Sequence, residues 1–197
     1  MGYVGHGMLE MFTSTKEIII VFRLLSARSV YRWSALLNVG ALLALLSAGT
    51  SAVAADVSSL FQEARTTAAQ LQRDAVTMET YTRSNVTWPS HSAQISQIKD
   101  HINKAGEILA QLQSARAEAQ PWHQDTIDRI TPVLKQLASD TEAIINHLNE
   151  NPNRLRDPNY MQYLRSNAQS AGELSAAVGN VVDYDNTRTR MEDLKSK

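Results

Sequence analysis

The residues best equipped for chemistry in this 197-residue chain are Trp88, His91, His147, Arg154, Arg156 and Tyr160. An imidazole can ligate a metal or carry a proton near neutral pH. A guanidinium forks onto carboxylates, and tyrosine or tryptophan adds an apolar wall with a polar edge. Two imidazoles could hold a metal, or Arg and Tyr could grip an anionic or aromatic ligand. Four of the six fall within one stretch, INHLNENPNRLRDPNY, from Ile145 to Tyr160. It is rich in Asn and interrupts a chain that otherwise reads as long amphipathic helices. The alternative is plainer. Aromatic rings plug the open end of a bundle, while Asn and Asp satisfy helix-terminal backbone groups. The stretch is expected to be a turn first and a site second.

What must position these residues is legible from apolar spacing. Val57, Phe61, Ala64, Ala68, Leu71, Ala75 and Met78 alternate steps of 4 and 3. So do Ile95, Ile98, Ile102, Ala105, Leu109 and Leu112, and then Ile127, Ile130, Leu134, Leu137, Thr141, Ile144 and Leu148. A looser fourth stripe runs through Met161, Leu164, Ala168, Ala171, Leu174, Val178, Val181 and Val182. Such steps keep one helix face apolar, and nothing alternates with the period of a strand. One such helix cannot bury its stripe, but four can bury one another's. The expectation is an all-α, antiparallel up-down-up-down four-helix bundle over residues 56–197.

The connections agree. Ser84 to Ser90 closes the first helix, with Ser90 able to cap the second, and Pro121 opens the third. Asp157-Pro158 places an acceptor at the N-cap and Pro at the first helical position. Pro132 predicts a kink, or a restart capped by Thr131. Glu79/Arg83, Asp100/Lys104 and Asp125/Arg129 are acid-first i,i+4 pairs. The tail from Asp185 is expected to fray. In this topology the first and third turns share an end, which gathers the six residues above with Tyr81, Arg83 and Tyr163. The opposite end holds Trp122 and His123.

Residues 1–55 read as a signal peptide with a long basic lead. Lys16, Arg23, Arg28 and Arg32 precede an uncharged run from Ser34 to Ala55. Its apolar centre, Leu36 to Leu46, has the length of a secretory core and is short for a membrane span. Small residues at Ala52-Val53-Ala54 and Val53-Ala54-Ala55 predict cleavage after Ala54 or Ala55. The alternative is an uncleaved anchor in the inner membrane, formed by residues 34–55. The absence of Cys excludes disulfides and Cys-ligated metals. Residues 56–197 carry 15 basic and 18 acidic residues with mixed signs, which argues against nucleic-acid binding.

Motifs for enzymes are missing. There is no inward Glu-x-x-His pair, no phosphate-cradling Gly loop and no nucleophile elbow. A haem bundle needs an axial His with Met or His across the core; Met78 and Met161 fall near the same end as His91, but any His-containing bundle offers as much, so no cofactor is expected. Trp88-Pro89-Ser90-His91, followed by the Ile145–Tyr160 stretch in a helical chain, resembles an uncharacterised family of bacterial exported helical proteins. The resemblance spans residues 56–184 and implies a periplasmic or secreted address without implying an activity. The leading expectation is a non-enzymatic bundle acting through a protein partner or self-association. It touches the membrane only transiently, through its signal peptide. Exposed Ile108, Val133 and Ile145 would form its contact patch. The second expectation is a ligand- or metal-binding bundle using the Trp88/His91/His147/Tyr160 end.

Overall fold

The computed structural model describes the backbone of residues 49–197 and the side chains from residue 57 onward. The basic lead, the Leu36–Leu46 run and the side chains at the expected cleavage positions lie outside the described residues. Four helices make up the described chain: α1 (Gly49–Thr80), α2 (Trp88–Ser114), α3 (Pro121–Glu150) and α4 (Pro158–Lys195). Short 3-10 turns at Tyr81–Arg83 and Arg116–Glu118 round off α1 and α2. No strand occurs among the described residues.

Each helix packs on its neighbours in the chain, and α4 returns against α1. The fold is therefore an all-α four-helix bundle around one continuous core. Phe61, His123 and Asp185 meet at one end. Tyr81, His91, His147 and Tyr160 meet at the other. At about 1.5 Å per residue, the shortest helix spans roughly 40 Å and the longest roughly 57 Å.

The stripes are what the core is made of. Every apolar position expected on α1 is buried, as is every one on α3 together with Thr141. Burying one Leu or Ile fully is worth roughly 1.5–3 kcal/mol, so these rows dictate which faces turn inward. Two stripes needed adjustment. On α2, Ile108 is 1% exposed and carries packing that Ala105 only partly shares. On α4 the row starts one residue earlier and reads Tyr160, Leu164, Asn167, Ala171, Leu174 and Val178, all buried. Met161 and Ala168 sit at its margin. A polar Asn inside the row hid its register.

Other expectations are corrected by the packing. Ile108 and Ile145 are 1% and 3% exposed and Val133 is half-buried, so the anticipated contact patch belongs to the core. Helix α3 runs unbroken through Pro132. Thr131 does not cap a new helix; its hydroxyl donates to the Ile127 carbonyl at 2.7 Å. Pro132 is exposed, where the backbone bond it forgoes faces water. Thr87, not Ser90, occupies the N-cap of α2. The tail stays helical to Lys195, with Arg188 Nε on Glu192 Oε1 at 2.9 Å. Of the three acid-first pairs expected, Glu79/Arg83 forms, at 2.7 Å, and the other two do not. Lys104 reaches Glu63 on α1 at 2.7 Å, and Arg116 reaches Asp128 across the second turn at 2.5 Å. Ion pairing there stitches helices together.

Candidate functional site

At the end formed by the first and third turns, local signals set the backbone. Asp157 accepts the Asn159 N–H at 2.9 Å, and Pro158 starts α4, which brings Tyr160 inward on the first turn. Tyr160 is completely buried. Its hydroxyl lies 2.7 Å from His91 Nδ1, on the first turn of α2. His147, in the last turn of α3, stacks on the same phenol ring at 4.6 Å between centroids and 23° between planes. Tyr81 meets His91 edge-on at 5.2 Å. One tyrosine therefore lies between two imidazoles contributed by different helices.

The polar atoms of this cluster are well matched. His147 Nε2 lies 2.9 Å from the Arg154 carbonyl, and a carbonyl can only accept, so that nitrogen carries the proton. The Trp88 indole N–H donates to the Leu148 carbonyl at 3.0 Å, closing the orphan end of α3. Burial pushes the Tyr160 phenol well above its usual pKa and holds His91 below 6.5. Both are neutral at pH 7.

Beside the cluster opens a pocket of about 490 Å³ between the first and third turns. His91, Arg154 and Arg156 line it, with Tyr81, Asn85 and Asp157. Trp88, His147 and Tyr160 do not; Tyr160 belongs to the core, Trp88 packs against it, and half-buried His147 stacks on Tyr160. The six expected residues thus share one end of the bundle but divide into a lining and a support. Arg156 donates to Asn85 Oδ1 at 2.7 Å, and the Arg154 side chain has no hydrogen-bond or ion-pair partner among the described residues. Tyr81 and Asn85 come from the first turn, which spacing placed at this end without showing that they face the pocket.

The opposite end is built differently. Trp122 Nε1 donates to Asp185 Oδ1 at 2.9 Å, and His123 Nε2 donates to Asp185 Oδ2 at 2.7 Å. His123 stacks on Phe61 at 5.0 Å, while Arg188 lies 4.7 Å over the Trp122 ring. His123 Nδ1 is buried without a partner among the described residues. Asp185 was missed by sequence reasoning, although it continues the row Leu174, Val178, Val181 by a step of four. A carboxylate on an apolar row was the available signal. Two further polar seams were equally hidden: His101 on Asp74 at 2.7 Å, and buried Asp140 accepting from Ser166 at 2.6 Å.

Among the described residues no group of three or more His, Cys, Asp or Glu side chains could hold a metal. No described helix is long and apolar enough to cross a membrane. Comparison with protein-family models, with curated proteins and with solved structures finds no match for this chain.

Proposed function

We propose that this chain is an exported, non-enzymatic bundle of up-down-up-down course that binds a small ligand at its turn end. Export rests on the basic lead, the uncharged run Ser34–Ala55 and the small residues before Ala54 and Ala55. It agrees with the resemblance to exported helical proteins. Ligand binding rests on one observation: the 490 Å³ pocket lined by His91, Arg154 and Arg156, whose His91 is bonded to the buried Tyr160. Small-molecule sites fall in this size range and combine apolar walls with a few convergent polar groups. Turns need no such pocket to reverse the chain. The test is thermal unfolding of the chain against a fragment library, repeated on Ser84→Trp, which adds a large side chain to the pocket lining. A ligand at about a hundred times its Kd adds roughly 2.7 kcal/mol, a shift of several degrees. Stabilising fragments that lose their effect in Ser84→Trp support the reading. Fragments that stabilise both chains equally would sink it.

Protein contact is the second reading. It is favoured by Tyr184, Met191 and Leu194 on the last turns of α4, with Leu194 67% exposed. Spacings of seven and three place all three on one helix face.

A further inference from the structure

The pocket has a chemical preference that follows from hydrogen-bond bookkeeping. The Tyr160 hydroxyl has one partner among the described residues, His91 Nδ1 at 2.7 Å. If Nδ1 carried the proton, the buried hydroxyl proton would have no acceptor, which buried donors rarely tolerate. Tyr160 therefore donates and Nδ1 accepts. The single proton of a neutral His91 then sits on Nε2. His91 lines the pocket, and with Nδ1 committed inward, Nε2–H is the group it has left to offer there.

Around that donor the charges do not cancel. Arg154 has no partner among the described residues, and Arg156 is held by the neutral amide of Asn85. The one carboxylate in the lining is Asp157, which is engaged by the Asn159 N–H at the start of α4. Two guanidiniums against one carboxylate leave the lining with a net charge of +1, which a monoanion would balance. Tyr81, Val86 and Leu155 supply apolar wall between the turns.

We infer that the pocket takes a small organic monocarboxylate with an apolar body, its carboxylate received by Arg154, Arg156 and His91 Nε2–H. This rests on the pocket being a ligand site. The source of such an acid is not specified by its chemistry, which is shared by aromatic and short aliphatic carboxylates. A charge series on one ring system isolates the claim. Calorimetric titration of the full chain at pH 7.5 with 2-naphthoate, 2-naphthamide and 2-naphthamidine compares an anion, a neutral isostere and a cation. The expected result is at least roughly tenfold tighter binding of naphthoate than naphthamide, because charge-assisted hydrogen bonds are the stronger kind. The double variant Arg154→Gln/Arg156→Gln, altered only at exposed side chains, is expected to lose that preference while still binding naphthamide. Equal affinity for anion and amide, or a preference that survives in the double variant, overturns the monocarboxylate and leaves the pocket reading intact. Failure of all three probes to bind the wild-type chain overturns both.

Discussion

At the turn end, Tyr160 donates to His91, His147 donates to the Arg154 carbonyl, and Trp88 donates to the Leu148 carbonyl. At the opposite end, Trp122 and His123 both donate to the single carboxylate of Asp185. The first arrangement spreads its bonds over several acceptors, two of them backbone groups that no substitution can remove. The second concentrates them on one side chain. Buried donors are costly to orphan, so the ends should differ in fragility although both join α4 to its neighbours. The turn end also leaves a pocket in front of its cluster. A cluster held by dispersed bonds can support an opening without depending on any one of its members.

The sharpest way to break this comparison is Asp185→Ala. It strands two donors at once, one of them on the buried His123, and the expected loss is about 3 kcal/mol. In a chain of this size that lowers Tm by roughly 10 °C, measurable by circular dichroism. A loss no larger than that of a single hydrogen bond would show that the far end is not concentrated on Asp185.

Acid should act on the turn end through His91. Its folded pKa lies below the 6.5 of the unfolded chain because burial disfavours the imidazolium. The unfolded chain therefore takes up a proton first as pH falls. The stability tied to His91 is complete above pH 6.5 and declines as pH drops from 6.5 toward the lowered folded value. The slope is at most about 1.4 kcal/mol per pH unit. Urea unfolding at pH 7.5 and 5.5 should show a smaller decline in His91→Gln than in the wild type.

Tyr160→Phe keeps the stacked ring and deletes one hydroxyl, leaving His91 Nδ1 without its donor. A loss of about 1 kcal/mol is expected, well below that of Asp185→Ala. If the two losses are alike, the contrast between dispersed and concentrated bonding disappears. Smallest of all, Arg154→Gln should change stability by under about 0.5 kcal/mol, since the side chain is exposed and unpaired among the described residues. A larger loss would give Arg154 a structural duty at this end.

Much of this was legible in advance, residue by residue. The rows on α1 and α3 were readable because each is a local repeat, and burying a row requires nothing from outside the helix except a partner face. Asp157-Pro158 was readable because capping is settled within three residues. The gathering of Trp88, His91, His147 and Tyr160 followed from topology. Their division into a pocket lining and a support did not. It depends on how far each side chain is rotated about its helix axis. Lys104 chose Glu63 over Asp100 for a similar reason: a neighbouring helix offered a carboxylate at 2.7 Å.

By itself, the sequence determined that the described residues are helical, where their turns lie, and which faces of α1 and α3 turn inward. These are properties of spacing along one strand of chain. Only the tertiary structure decided that Tyr160 rather than Met161 enters the core, that Ile108 is covered, and that Asp185 answers His123 from 62 residues away. Successive residues on a helix point about 100° apart, so one position of register reassigns what is buried. That register is set by the packing of four helices together, through contacts that sequence distance does not rank.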